Sequence, residues 1–470
     1  MKIKKVLDVT LSVICTLINL YFLYTLINVN IIPDAFMIVI GAVLILINIY
    51  LCIRFKNTKE MTVIIKEVLM SIMIVALYIG VSLIEHYFTS TVNFFEAVNN
   101  NNYNSHTYQL YVSEESEITE VDQLDGENIG YENLDINNID MVMEKLNEDI
   151  DSVNVGYSST YEMIVALDSE ISGLIISDSQ YELIEENDPE VLEGLVLLKE
   201  YGIAVDNVIS QSEKNVTNES FIVYITGFDK YGNISLTGRS DVNMLAVVDP
   251  IDKEISLVSI PRDYYVELPG YGSLKDKLTH AGVYGLDVSI GAIENLLDIE
   301  IDHYVKINFS TVVDFVDIIG PIEVNSVMDF CSWTNCYTKG INILDGEKAL
   351  EFSRERYNLP KGDIDRAYNQ QLVINGIIKA ASSPDILLNY TNILSSLSSS
   401  FATSFTDKDI TSLVKMQLSD FSTWKTSNYV INGYGSSEYT YSYPSQKLSV
   451  LLQDSNSLAE AKEIIKDALN

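Results

Sequence analysis

Three long apolar runs open the chain, at residues 6–27, 36–53 and 63–84. Each is about as long as the hydrocarbon core of a bilayer requires. Each is apolar all round rather than along one stripe, unlike the helices of a soluble core. The pattern predicts three transmembrane helices within residues 1–90. A signal peptide would account for the first run only, because such peptides come singly. Residues 93–104 are polar and asparagine-rich and read as a linker. From 107 to about 214, short apolar runs (108–110, 153–155, 173–176) alternate with helical periodicity over 139–150 and 161–167. That alternation predicts a small α/β accessory domain over residues 105–214.

The remaining unit, 215–470, opens on a continuous apolar run, Phe221 to Gly227, that reads as a buried strand. Strands follow at 244–248 and 255–260. Helical periodicity marks 288–297, 309–319, 346–352, 364–381 and 458–469. Strands alternating with helices predict an α/β domain with a central sheet flanked by helices. Its length is enough for one sizeable core.

Charge adds orientation and compartment. Lys2, Lys4 and Lys5 precede the first apolar run, and Arg54, Lys56 and Lys59 lie between the second and third. The link at 28–35 carries no lysine or arginine. The positive-inside rule therefore places the N-terminus in the cytoplasm and everything after Glu85 outside, as a multi-pass protein of the cell membrane. The formal net charge is -36, which argues against nucleic acid as a partner. Between 107 and 214 there are 27 acidic residues against three basic ones. Cys331 and Cys336 lie outside, where a disulfide is permitted; two free thiols are the other reading. No CxxC or His/Cys cluster suggests zinc.

Against this acidic background the arginines are informative. There are six, and apart from Arg54 they are Arg239, Arg262, Arg354, Arg356 and Arg366. All five lie in short polar segments at the edges of apolar elements. The guanidinium is a planar fork that binds phosphate bidentately, so the set points to an anion site. Structural ion pairs with Asp241, Asp263, Glu355 and Asp365 are the competing reading. Asp363, Arg366 and Gln370 are spaced to share one helix face. Asp363 follows Gly362 at the expected helix start, where it is either an N-cap or a reactive carboxylate. Arg354 and Arg356 converge only if the chain is extended between them. Asp229 after the first strand and Asp241 before the second suit a divalent, oxygen-liking ion such as magnesium. Asp229 also reads as a turn residue.

Five ordered segments resemble the signatures of the LytR-CpsA-Psr proteins of Gram-positive bacteria. They are Gly238-Arg239-Ser240-Asp241-Val242-Asn243-Met244-Leu245, Val258-Ser259-Ile260-Pro261-Arg262-Asp263 and Asp276-Lys277-Leu278-Thr279-His280-Ala281. Then come Leu344-Asp345-Gly346-Glu347-Lys348-Ala349-Leu350 with Arg354 and Arg356, and Gly362-Asp363-Ile364-Asp365-Arg366 with Gln370-Gln371. Three spans followed by an acidic unit resemble the capsule-associated branch. The resemblance implies a central mixed sheet flanked by helices. It also implies transfer of a glycopolymer, capsular or teichoic-acid-like, from a polyprenyl (undecaprenyl) pyrophosphate carrier to peptidoglycan. Arg239, Arg262, Lys277, Arg354, Arg356, Arg366 and Gln370 would then hold the pyrophosphate. Asp229 and Asp241 would hold Mg2+, and the lipid tail would lie in an apolar groove. Asp363, as base, and Arg262 are the candidate catalytic groups. Asn369 stands where many relatives carry arginine, which implies a weaker or altered headgroup grip. A polyprenyl pyrophosphate phosphatase and a non-enzymatic sensor of the lipid carrier are the alternatives.

Overall fold

The computed structural model describes residues 2–29, 32–52, 60–102, 104–133, 136–205, 212–229, 231, 232, 234, 237–383 and 386–470. The chain begins with helices α1 (Lys2–Val29), α2 (Asp34–Cys52) and α3 (Glu60–Asn102). Among the described residues, Val9–Asn28 and Ile64–Val98 are long and apolar enough to cross a membrane, whereas the apolar part of α2, Asp34–Tyr50, is shorter. Arg54, Lys56 and Lys59, on which the orientation partly rests, lie outside the described residues.

Of the expected linker at 93–104, residues 93–102 are instead the last part of α3, and Asn104 already opens the next strand. Thr91, Phe94, Phe95 and Val98 recur at helical spacing and are buried against Tyr390, Ile393, Leu394 and Leu397. Packing of that stripe outweighs the poor helix propensity of the asparagines around it. α3 therefore enters the core of the C-terminal domain. At the same end of the molecule Lys415 pairs with Asp34 at 2.8 Å.

The accessory domain comprises β1 (Asn104–Ser113), β2 (Asn128–Glu132), α4 (Ile136–Leu146), β3 (Val153–Tyr157), α5 (Thr160–Ala166), β4 (Gly173–Ser177), α6 (Asp178–Asn187) and β5 (Leu195–Val205). Its five strands run β3-β2-β4-β1-β5. Glu132, buried at the end of β2, accepts hydrogen bonds from Thr160 and Gln180 at 2.8 Å each and from the Tyr441 hydroxyl of the next domain. Tyr161 meets Tyr443 edge-on at 5.8 Å. These contacts dock the two domains together.

The C-terminal domain contains β6 (Phe221–Gly227), β7 (Val242–Asp249), β8 (Glu254–Ser259), β9 (Tyr265–Glu267), β10 (Lys275–Lys277), α7 (Leu278–Tyr284), α8 (Leu286–Leu297), β11 (His303–Ile307) and α9 (Phe309–Ile319). It continues with β12 (Ile322–Ser326), β13 (Phe330–Cys331), β14 (Cys336–Tyr337), β15 (Gly340–Leu344), α10 (Gly346–Arg354), α11 (Asp363–Ala381), α12 (Ile386–Leu397), β16 (Phe401–Thr403), α13 (Asp407–Asp420), β17 (Lys425–Val430), β18 (Gly433–Thr440), β19 (Tyr443–Gln453) and α14 (Ser455–Leu469). The central sheet is mixed, in the order β16-β11-β6-β7-β8-β17. β6 has an apolar run because both its faces are covered. Ile222 and Tyr224 join the core under α8 and α14, while Phe221 and Val223 join the opposite core with Ile374 of α11 and Leu413 of α13. The result is helices on both faces of one sheet, as the alternation of patterns predicts.

Candidate active site

The site forms where the β6–β7 and β7–β8 connections meet. In the antiparallel β6–β7 pair Gly227 stands opposite Val242, and Asp241 N donates to Gly227 O at 2.9 Å. Asp229 and Asp241 thus flank one end of the sheet. In the β7–β8 pair Met244 stands opposite Ser259, and Ile260 N still donates to Asn243 O at 2.8 Å. Carried two steps further, that register sets Arg262 opposite Asp241. Their side chains form an ion pair. Arg239 lies on a loop fixed to α7 by Gly238 N to Gly282 O and Ser240 N to Thr279 O, at 2.9 and 3.0 Å. Gly238 has φ +128, a conformation that favours glycine.

The other cations come from α10 and α11. Asp345 caps α10 by accepting from Lys348 N at 3.0 Å. At Gly346 a Cβ would run into the Val313 carbonyl oxygen, so the glycine lets α10 approach α9. α10 reaches Arg354, two residues beyond the expected end. There the guanidinium carbon lies 4.1 Å from the centroid of the Phe309 ring, and Nη2 lies 3.1 Å from Asp229. Glu355 is extended, at φ -62 and ψ 130, so Arg356 turns back towards the same space. Arg366 and Gln370 project from the first turns of α11. The next residue, Gln371, is buried and pins the helix: its Nε2 donates to Leu257 O, Ser259 Oγ and Tyr429 O at 3.2, 2.9 and 2.7 Å.

These residues line one cavity of about 840 Å³. Asp229, Asp241, Arg239, Arg262, Arg354, Arg356, Arg366 and Gln370 all contribute to its wall. Ile225, Met244, Ile307, Val373, Ile374 and Ile377 make a further part of the wall apolar. Two expected members lie elsewhere. Lys277 is outside the lining and pairs with Asp263 at 3.1 Å, because β10 holds it beside the Arg262 loop rather than over the cavity. Asp363 is also outside the lining. It is the first helical residue of α11, not the cap, which is Gly362, and its carboxylate pairs with Arg366 at 2.8 Å and with Arg356 at 3.7 Å. Asn369 is 2% exposed and lines no part of the cavity, although it lies only three residues from Arg366 on α11.

Burial sets the electrostatics. At Arg262 burial pulls the pKa down, but the carboxylates of Asp241 and Asp263 outweigh it and the value lies above the ordinary one. At Arg366 burial wins over the attraction of Asp363 and lowers the pKa. The Asp229 carboxyl is pushed up by burial; Arg354 pulls it back and Asp241 raises it further.

Sequence reasoning missed the rim. Tyr231, Trp333 and Tyr357 are exposed aromatics that line the mouth. Trp333 sits on a loop closed by a disulfide between Cys331 and Cys336. Glu351 of α10 accepts hydrogen bonds from Ser332, Thr334, Asn335 and Tyr337 of that segment. Burial opposes the charge on Glu351, but the bonds from Ser332, Asn335 and Thr334 prevail and hold its pKa at about 2. From the accessory domain, Glu186 pairs with Arg239 across the mouth. The available signal was an aromatic residue inside a polar, cysteine-bracketed segment.

The LytR_cpsA_psr family model matches residues 199–456, more than half of the sequence. The chain belongs to the LytR_cpsA_psr family. It is 39% identical over 203 residues to the polyisoprenyl-teichoic acid–peptidoglycan teichoic acid transferase TagU of Enterococcus faecalis, covering 43% of this chain and 67% of the relative. The Bacillus cereus protein of the same name is 31% identical over 211 residues, covering 45% and 68%. A crystal structure of B. subtilis TagU superimposes with a TM-score of 0.42 at 26% identity, over 54% of this chain and 98% of that one.

Proposed function

We propose that this LytR_cpsA_psr protein transfers a glycopolymer from a polyprenyl pyrophosphate carrier to peptidoglycan at the outer face of the cell membrane. The observation that carries the reading is the cavity itself. Five arginines and Gln370 converge on one mouth, with an apolar wall alongside, in a protein whose net charge is -36. Such a cavity suits a ligand with a doubly charged head and a hydrocarbon tail. The relatives' names supply the glycopolymer class, teichoic acid; a capsular polymer is the other candidate that the three-span, acidic-unit organisation suggests. The contact between Lys415 and Asp34 agrees with the charge-based topology, in which the 28–35 link and the C-terminal domain share the outer side.

In this reaction a sugar hydroxyl of peptidoglycan attacks the phosphorus that bears the glycan. A new P–O bond forms, the bond to the bridging oxygen breaks, polyprenyl phosphate leaves, and the hydroxyl proton passes to a base. Arg262, Arg354, Arg356 and Arg366 neutralise the two phosphates and hold them in place while charge shifts to the leaving phosphate. Gln370 donates to a phosphate oxygen.

Asp229 and Asp241 would hold Mg2+. Among the described residues no group of three or more His, Cys, Asp or Glu is assembled for a metal, so phosphate oxygens would complete the shell, as is usual for this ion. Two carboxylates on one cavity wall fit that use. The ion would supply charge neutralisation at the pyrophosphate. The test is full-length protein in lipid nanodiscs with a lipid-linked glycan donor and peptidoglycan. Wild type should attach glycan to the wall, and Asp241→Asn should bind donor but lose most turnover. Release of free phosphorylated glycan at the same rate without peptidoglycan would identify a phosphatase instead. Binding of carrier with no turnover of either kind would identify a sensor.

A further inference from the structure

The exposed aromatic rim has no part in gripping phosphate, and its placement asks for a ligand of its own. Trp333 is 92% exposed, the most exposed large apolar side chain among the described residues. Its loop is nevertheless held from four directions. The Cys331–Cys336 disulfide closes it, Ser332 N donates to Asn335 O at 2.8 Å, and Glu351 receives Thr334 N and Asn335 N at 2.9 and 3.1 Å. Beneath it Phe330, Tyr337 and Phe352 form a ring cluster with centroids 5.1 Å apart. A large indole kept in water on so fixed a base is preorganised for a partner. On the same rim the hydroxyl of Tyr357 accepts from Arg356 at 2.6 Å, and Tyr231 leans edge-on against Phe309 at 5.2 Å.

The surroundings say what partner fits. Ser332, Thr334, Asn335 and Glu347 line the mouth beside Trp333. An aromatic face ringed by hydroxyl, amide and carboxylate groups matches a sugar ring, which has an apolar C–H face and a perimeter of hydroxyls. A hydrocarbon tail would strip water from the Glu347 carboxylate and the Thr334 hydroxyl without replacing its hydrogen bonds. An anionic bilayer surface would be repelled by Glu347 and Glu351. The distance also fits. Glu351 and Glu347 precede Arg354 by three and seven residues on α10, about 4.5 and 10 Å of helix rise. A sugar joined to a phosphate at Arg354 therefore reaches the loop within its first ring or two.

Resting on the transferase reading, we propose that Trp333 on its disulfide-closed loop, with Tyr357 and Tyr231, is a stacking platform for the carrier-proximal sugars of the donor. It would discriminate a glycan-loaded carrier from sugar-free polyprenyl pyrophosphate, which shares the same tail and phosphates.

The chain has two tryptophans, Trp333 and Trp424. Trp424→Phe leaves Trp333 as the sole indole and a direct reporter in the full chain. Adding polyprenyl pyrophosphate with one or two sugars should shift its emission to the blue and shield it from a soluble quencher, while the sugar-free carrier should bind without that change. In the chain retaining Trp424, Trp333→Ala should weaken sugar-loaded carrier about three- to tenfold, the equivalent of one good aromatic contact. It should leave the sugar-free carrier unchanged, and Trp333→Phe should keep most of the difference. Equal losses for both carriers, or none for either, would overturn the platform. An emission shift on carrier-free anionic vesicles would reassign the loop to the lipid surface. A shift with soluble peptidoglycan fragments but not with the loaded carrier would reassign it to the acceptor. Failure of wild type to bind the sugar-free carrier at all would instead count against the transferase reading.

Discussion

Replacing Asp363 with asparagine separates two roles that sequence spacing leaves open. As a general base, Asp363 would have to meet the acceptor hydroxyl. Its carboxylate is instead outside the cavity lining and committed to Arg366 and Arg356. That geometry makes it a positioning residue for Arg366 and Arg356, the two proposed phosphate ligands. Breaking a fully buried pair costs about 3–5 kcal/mol, and breaking an exposed one about 0–1 kcal/mol. Arg366 is 13% exposed and Asp363 41%. The intermediate exposure, with an amide oxygen still available to Arg366, points to about 1–2 kcal/mol. That is roughly a five- to thirtyfold loss of affinity for polyprenyl pyrophosphate. Asp363 also sits at the first position of α11, where loss of negative charge costs about 0.3–1 kcal/mol more in helix stability. Asp363→Asn should therefore raise Kd and slightly lower Tm, while the transfer rate at saturating donor stays within about tenfold of wild type. Titrating donor in the nanodisc assay reads both quantities. An unchanged Kd with a saturated rate down by about 100-fold or more would refute this and restore the base.

Three further outcomes are expected. Arg354→Lys and Arg356→Lys keep charge but lose the planar fork, so each should weaken carrier binding by about 1–3 kcal/mol; wild-type affinity in both would make them ordinary ion-pair residues. Glu186→Gln removes a carboxylate that competes with phosphate for Arg239. Both partners are substantially exposed, so carrier affinity should rise by no more than about fivefold, and weaker binding would show that Glu186 orients the arginine instead. For topology, a cysteine replacing the exposed Glu148 should react with an impermeant thiol reagent on intact cells once Cys15 and Cys52 are removed. Protection there together with labelling at position 56 would reverse the orientation.

Much of the fold was legible because its signals are local. β6 and α9 match their predicted spans residue for residue, α11 begins one residue early, and β8 is shifted by one at both ends. A continuous apolar run and a clean helical stripe leave little choice of element. The failure at 93–104 has the opposite cause. Asparagine composition points to a loop, but the deciding term is burial of Phe94, Phe95 and Val98 against α12, a contact some 290 residues away in sequence. The stripe was present in the sequence; its partner was not recognisable from local pattern.

The site divides along the same line. Asp241 and Arg262 meet because two antiparallel strands share a register, so a correct strand assignment nearly fixes the pair. Helical spacing likewise puts Arg366 with Gln370. Lys277 and Asp363 fit the same sequence segments and the same charge logic, yet each is neutralised one ion pair away from the cavity. Motif membership cannot tell a residue that touches ligand from one that holds such a residue, because both are selected by the same guanidinium. The distinction lies in which way a side chain leaves its element, and Gln370 and Gln371 display it in adjacent positions. Gln370 faces the cavity, whereas Gln371 is spent on three acceptors of the sheet and so fixes the angle at which Arg366 enters. The proposed grip on phosphate therefore depends on residues that never reach it, and the arginine wall is only as rigid as this buried amide and the Asp363 pair make it.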